Sequence, residues 1–268
     1  MMLSQLSHLS GATRVVPIVG DPIAQVKSPA GVTAAFQARG ENAVCVPMHI
    51  GPDDFGALMQ LVRRWRNCAG VIVTVPHKFA AFEVCDTVSE RAGFLRTVNT
   101  IVRRADGRLH GDMFDGLGFV AACRDKSCTF SGRRALLVGA GGAGTAIGHA
   151  VASEGVALLG IADRDAGRRD GLVAHLAAAG FPVEARPADA QGFDIALNAT
   201  PMGMRAGDPL PLHADGLTPE TFVGDVVTDP DPSPLIAAAR ARGCRTSTGA
   251  DMFSRVRDLM VDFLLAGR

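Results

Sequence analysis

Lys78 closes the run Gly70-Val-Ile-Val-Thr-Val-Pro-His-Lys78, Asp115 lies in Asp112-Met-Phe-Asp-Gly116, and both stand upstream of a glycine-rich stretch, Gly139-Ala-Gly-Gly-Ala-Gly144. A lysine with a carboxylate partner can take a proton from an alcohol, or return it, while a hydride leaves for an acceptor. The glycine stretch offers a place for that acceptor, a nicotinamide dinucleotide. An isolated lysine is ordinarily a solvated surface group, so the case for Lys78 rests on its company.

The glycines have separable physical tasks. Gly139 permits a tight turn, Gly141 lets backbone approach a pyrophosphate, and Gly144 lets helix and strand pack closely, with Ala140, Gly142 and Ala143 completing the turn. The stretch follows an apolar run, Ala135-Leu-Leu-Val138, opens a helical pattern, and precedes an acidic residue, Asp163, at the end of the next apolar run. A purely structural turn is the alternative. Asp163 can accept from a ribose 2′-hydroxyl and would repel a 2′-phosphate, which favours NAD. Arg164 and Arg168 follow at once and could hold that phosphate, so NADP stays open. Asp163 as a plain helix cap is a third reading.

Elements must hold these residues at strand ends. Short β-branched runs alternate with alanine-rich helical stretches, so the fold class is α/β with mainly parallel sheets under helices. Strands are predicted near Arg14–Val19, Ala43–His49 and Gly70–Val75, with helices after Pro29, Gly51 and Pro76. Thr97–Arg103 and Arg108–Gly111 read as a hairpin around Ala105-Asp-Gly107. The second half reads as Ala135–Val138, a helix to about Glu154, a strand Val156–Ala162 and a helix through about Ala179. A polar leader of about ten residues precedes all of this, and Met252–Leu265 has a helical pattern of its own.

At 268 residues, length favours two modest domains with a cleft between them. Lysine plus arginine equals aspartate plus glutamate at 27 each, which excludes a global field aimed at nucleic acid or an anionic membrane and leaves a small-molecule partner. The six cysteines, Cys45, Cys68, Cys85, Cys123, Cys128 and Cys244, show no CxxC spacing and read as reduced core thiols in a cytoplasmic protein. No metal site is expected. No apolar run reaches membrane-spanning length and no secretory leader is evident, so a soluble, unprocessed chain is the expectation.

The order Gly20-Asp-Pro-Ile-Ala-Gln-Val-Lys-Ser-Pro29, Val73-Thr-Val-Pro-His-Lys78, Val98-Asn-Thr100, Asp115-Gly116, Gly139-Ala-Gly-Gly-Ala143, Asn198-Ala-Thr-Pro-Met-Gly203 and Asp225 resembles the shikimate dehydrogenases. The resemblance spans nearly the whole chain. It implies an N-terminal α/β substrate domain, residues 1–115, completed by a C-terminal helix at 250–268, and a Rossmann-like NAD(P)-binding domain at 116–249. It also implies a catalytic pair of Lys78 and Asp115, substrate contacts from Ser28, Thr74 and Asn99, and Thr200, Met202 and Gly249 on the nicotinamide side. The implied activity interconverts a cyclic hydroxy acid and its ketone, with shikimate and 3-dehydroshikimate as the default pair, in a monomer or homodimer.

The chain departs from the family pattern in one direction. Of two serines flanking a lysine in the first motif, one is Val26, while Lys27 and Ser28 remain. An asparagine that faces ring hydroxyls is Ile72, a glutamine near the C-terminal helix is Val256, and the tyrosine after Asp225 aligns with Thr228 in a chain that contains no tyrosine. Asn-Thr-Asp-Gly has become Met113-Phe-Asp-Gly116. A drier pocket fits quinate or a less hydroxylated ring acid; the plainer alternatives are local misalignment or compensation by Gln25, Lys27 or Ser254. A reading from another class is a regulatory protein that binds NAD without turnover, against which the retention of both Lys78 and Asp115 argues.

Overall fold

The computed structural model describes residues 9–267, so most of the polar leader lies outside the described residues. The chain divides into two compact units, one running up to Phe114 and resuming at Arg257, the other Asp115–Val256.

The first unit opens with β1 (Arg14–Gly20), α1 (Ser28–Ala38) and β2 (Ala43–His49). A 3-10 turn at Pro52–Asp54 leads into α2 (Phe55–Arg64), β3 (Gly70–Val73) and α3 (Lys78–Val84). Then come β4 (Thr87–Val88), α4 (Glu90–Leu95), β5 (Thr100–Arg103) and β6 (Leu109–Asp112). The β-branched runs form a six-stranded sheet in the order β2-β1-β3-β5-β6-β4. β1 pairs in parallel with β2 from Arg14↔Ala43 to Gly20↔His49, and with β3 through Ile18↔Ile72. β3 with β5, and β5 with β6, run antiparallel. The predicted hairpin accounts for that second departure from parallel pairing. Gly107, at φ +86, turns the chain back, and a tight turn joins only antiparallel neighbours.

The second unit contains α5 (Asp115–Asp125), β7 (Arg134–Val138), α6 (Gly142–Ser153), β8 (Leu158–Ala162), α7 (Ala166–Ala178) and β9 (Val183–Ala185). It continues through β10 (Ile195–Asn198), β11 (Phe222–Asp225), α8 (Pro234–Ala241), β12 (Arg245–Ser247) and α9 (Gly249–Ala266). Its six strands are all parallel, in the order β12-β11-β10-β7-β8-β9. Counted from β7, this is the doubly wound order 3-2-1-4-5-6, whose switch point lies between β7 and β10. The sequence pattern shows one βαβ unit and a following helix here, because β9 to β12 have three or four residues each, too few for a period to register. Leu136, Ala196 and Val223 from the sheet pack with Leu235, Ile236 and Ala239 of α8.

α9 begins in the second unit and from Arg257 belongs to the first. There Phe263 packs on Phe114 at 5.3 Å between centroids, and Arg39 Nε, at the C-cap of α1, donates to Asp262 over 3.1 Å. Five cysteines, Cys45, Cys68, Cys123, Cys128 and Cys244, are buried, and burial pushes the Cys45 and Cys128 thiols up to about 12.

A buried polar network ties the strand ends of the second unit. Asn198 Nδ2 donates to Asp225 Oδ1 over 2.9 Å, Val227 N–H donates to the same oxygen over 3.0 Å, and Ser233 Oγ donates to Asp225 Oδ2 over 2.5 Å. Ser233 also caps α8, accepting from Ile236 N–H at 3.2 Å, as a serine before proline at a helix start does. Burial pushes the Asp225 carboxyl above its ordinary range, and these donors only partly counter it. With the folded pKa above the unfolded one, the native state holds the proton more tightly. This group's contribution to stability is therefore full below the ordinary carboxylate range and is lost as pH rises through the folded pKa. Asp225→Asn, neutral at every pH, should cost about 1–3 kcal/mol through a mismatched hydrogen bond at low pH. That deficit should shrink in urea-unfolding midpoints as pH rises above the ordinary carboxylate range and through the raised folded pKa. A deficit that widens with pH would show the carboxylate to be the form the fold prefers.

Candidate active site

Lys78 is the first residue of α3 and is buried. The chain reaches it through a turn in which His77 N–H donates to Thr74 O over 3.0 Å. The His77 ring lies flat on Phe55, centroids 4.8 Å apart at 8°, with its Nε2 2.7 Å from Ile50 O. On the other side, Lys78 O accepts from Val98 N–H over 3.0 Å. Main chain is thus held before and after the lysine. Thr74 is pinned to β1 through its N–H to Val19 O at 2.9 Å, and a side chain on Gly20 would overlap its methyl group.

Asn99, fully buried, joins three segments. Its carbonyl accepts from Val73 N–H over 2.7 Å and its N–H donates to Asp112 O over 3.0 Å. Its side-chain Oδ1 accepts from Phe114 N–H over 3.1 Å and from Thr100 Oγ1 over 3.0 Å. Asp115, also buried, follows Phe114 as the first residue of α5. Ser28 starts α1 and is buried, with Pro29 presetting the first turn.

The glycine turn divides by cause. Gly139 has φ +109, and a Cβ there would stand 2.8 Å from Thr200 Cγ2 and 2.9 Å from Ala199 C. A Cβ on Gly144 would overlap the Gly139 carbonyl. Gly141 differs, since a Cβ there would meet nothing within 4 Å. Neither a positive φ nor a protein neighbour requires glycine at 141, whereas a pyrophosphate drawn against the backbone would. Gly141 is also the N-cap of α6, with no side chain bonded to the helix amides and no acidic residue in its first turn, which Gly142, Ala143 and Gly144 form. Those amides and the dipole end face an anion without competition. The residues present therefore fit a dinucleotide.

Asp163 sits at the tip of β8. Its Oδ2 accepts from Ala140 N–H over 2.7 Å and its Oδ1 from Asp165 N–H over 2.8 Å. It is not a helix cap. Asp165 caps α7, accepting from Arg168 N–H at 3.1 Å, so that alternative falls. Arg164 and Arg168 are exposed, and Arg168 Nε lies 3.5 Å from Asp165. Beyond β10, Thr200 N–H and Oγ1 both donate to Asn198 Oδ1, at 2.9 and 2.6 Å, and Met202 N–H donates to Thr200 Oγ1 over 3.2 Å. A side chain on Gly249 would overlap the Val227 carbonyl. Thr200, Met202 and Gly249 are thereby fixed by the network around Asp225. Among the described residues, no group of three or more His, Cys, Asp or Glu could hold a metal ion.

His77, Arg91 and Asp112 were not legible as functional. Their bonds reach 27, 22 and 23 residues along the chain, and nothing local marks them.

The family model described as the shikimate dehydrogenase substrate binding domain matches residues 18–101. A shikimate dehydrogenase (NADP(+)) from Rubrobacter xylanophilus is 39% identical over 90% of this chain and 87% of its own length. The chain belongs to the shikimate dehydrogenase family. It is a nicotinamide-dependent oxidoreductase of that family. Among solved structures it resembles a quinate dehydrogenase from Corynebacterium glutamicum in complex with NAD, at TM-score 0.85 and 29% identity over 95% of this chain and 94% of that one. It also resembles a ligand-free 5-ketofructose reductase of Gluconobacter sp. strain CHM43, at TM-score 0.86 and 26% identity over 96% and 94%.

Of the residues that depart from the shikimate dehydrogenase pattern, Ile72 and Val256 are buried. Ile72 lies in β3, in register with Ile18 and Thr100. Val256 is buried where α9 meets α5, so close that a side chain on Gly118 would overlap it. Val26 and Thr228 are half-buried. Of the groups that could compensate, Gln25 Nε2 donates to Pro22 O over 2.9 Å, and Lys27 and Ser254 are exposed.

The two glycine causes separate in experiment. Gly141→Ala should leave the urea midpoint within about 0.5 kcal/mol of wild type and weaken dinucleotide binding, read by fluorescence titration, by about tenfold or more. Gly144→Ala should instead destabilise the fold by about 1–3 kcal/mol. Equal destabilisation by both would remove the distinction.

Proposed function

We propose that this chain interconverts a cyclic hydroxy acid and its ketone, with shikimate and 3-dehydroshikimate as the default pair and NAD as the preferred cofactor. The observation that carries the reading is the joint survival of Lys78, Asp115, Thr74 and Asn99, all four of them in motif positions of the shikimate dehydrogenase family.

Lys78 takes the proton of the reacting hydroxyl as the alcohol is oxidised, and in the reverse direction returns it to the developing alkoxide, its charge stabilising that oxygen. Asp115 orients the amine and the hydroxyl. Ser28, Thr74 and Asn99 hold the acid. When bound, the nicotinamide supplies the hydride acceptor. Gly139, Gly141, Gly142 and Gly144 cradle the pyrophosphate, and Thr200, Met202 and Gly249 line the nicotinamide side.

Asp163 supports NAD. Its carboxylate is held at the tip of β8 by two backbone amides, ready to accept from a ribose 2′-hydroxyl and repellent to a 2′-phosphate. The quinate dehydrogenase relative is a complex with NAD, whereas the curated relative from Rubrobacter carries NADP(+) in its name. The exposed Arg164 is the group through which NADP would be accommodated.

A second reading concerns substrate. Ile72 and Val256 stand where the family has amide side chains, and each neutral hydrogen bond lost to a ring hydroxyl costs on the order of 1 kcal/mol. Quinate or a less hydroxylated acid then becomes the better substrate, and the likeness to a 5-ketofructose reductase is in keeping with one fold serving different alcohols.

Reduced-cofactor absorbance with NAD and NADP, offering shikimate and quinate, tests these points together. Lys78→Ala should lower kcat by about 10²–10⁴-fold with cofactor affinity unchanged. Wild type should favour NAD, and Asp163→Ala should erode that preference. A Lys78→Ala enzyme that turns over normally would sink the acid–base role, and an NADP preference in wild type would sink the reading of Asp163. Good turnover of shikimate alone would dismiss the second substrate.

A further inference from the structure

The segment just before Asp115 is gripped by a guanidinium from elsewhere in the chain. Arg91, on α4, donates from Nε to Met113 O over 2.7 Å and from Nη2 to Asp112 Oδ2 over 2.7 Å. Its Cζ lies 5.4 Å from the centroid of the Phe114 ring, in cation–π range. Asp112, buried, uses its other oxygen to accept from Ser89 Oγ and, over 2.7 Å, from Met113 N–H. Phe114 N–H is taken by Asn99 Oδ1 at 3.1 Å. Met113 N–H, Met113 O and Phe114 N–H are therefore all bonded, within the two residues that precede Asp115.

Only a planar fork can serve the Met113 carbonyl and the Asp112 carboxylate together while its face covers Phe114. A lysine could keep the charge pair with Asp112 but has no second fixed donor direction for the carbonyl. The arrangement also suits this chain's own sequence, since the shikimate dehydrogenase pattern has threonine where Phe114 offers its ring.

We propose that Arg91 is a positioning residue, fixing the backbone of Met113 and Phe114 so that Asp115 projects in a single orientation. This rests on the reading of Asp115 as the partner of the acid–base lysine, and the test separates the two. Hydrogen exchange should show the Met113 and Phe114 amides protected in the wild type and exchanging at least tenfold faster in Arg91→Lys, with β7 amides unchanged. Unaltered exchange at 113 and 114 overturns the proposal whatever the enzyme does with any substrate.

Kinetics distinguishes positioning from plain stability. With the hydroxy acid that wild type oxidises best, Arg91→Lys should lower kcat by about tenfold or more, leave KM for the cofactor within about twofold, and displace the pH profile of kcat. In an Asp115→Asn background the same substitution should have almost no further effect on kcat, because the group it positions has lost its charge. A loss that multiplies unchanged in that background overturns the proposal, as does a wild-type profile for Arg91→Lys. If Asp115→Asn itself turns over like wild type, the reading of Asp115 fails first, and the positioning claim falls with it.

Discussion

Asn99 is the residue on which the substrate side of this protein depends. Its carbonyl, amide N–H and side-chain oxygen are all engaged inside a region with no access to water, and each reaches a different segment: β3, the end of β6, and the peptide before Asp115. A buried amide with every group satisfied is a rigid junction, because any one partner can move only by leaving a polar group unpaired at a cost of about 1–3 kcal/mol. The strand that leads to the lysine turn and the segment that leads to the aspartate are thereby referenced to one residue, the first by its main chain and the second by its side chain. Asn99 is assigned to the substrate by family resemblance, yet its Oδ1 is already occupied by Phe114 N–H and Thr100 Oγ1.

The second unit solves the same problem with different chemistry. There a carboxyl group, Asp225, sits without solvent contact between two strand ends and a helix start, and desolvation rather than any neighbouring charge dominates its titration. The network joins the ends of β10 and β11 to the start of α8, next to the switch point between β7 and β10. Asn198 does this twice, to Asp225 and to the Thr200 turn.

Legibility in the sequence followed the range of the forces involved. β2 is legible at its true bounds, Ala43–His49, because a nearly continuous apolar run with two valines declares itself locally. The hairpin was read from Ala105-Asp-Gly107, whose conformational demand is confined to a few residues. Gly139, Gly141 and Gly144 were assigned distinct tasks, and the backbone bears the division out for Gly139 and Gly144. What stayed hidden was either too short, like β9 and β12 with three residues each, or nonlocal, like the reach of His77 to Ile50 and of Arg91 to Met113. Asp163 shows the mixed case. Its place at a strand end was readable, but its two backbone donors, and the passing of the cap to Asp165, needed coordinates.

The division of α9 between the two units has a consequence for how the protein is made. Residues from Arg257 onward complete the first unit, where Leu264 covers Gly70 of β3, yet all of Asp115–Val256 must be translated before they exist. At roughly 5–20 residues per second, the β1-β2-β3 portion waits on the order of ten seconds with one apolar face lacking its native cover, while the second unit, contiguous in sequence, is free to fold as it emerges. The unit synthesised first is therefore the one completed last, and nascent chains are most exposed to misassociation through the face that this helix closes.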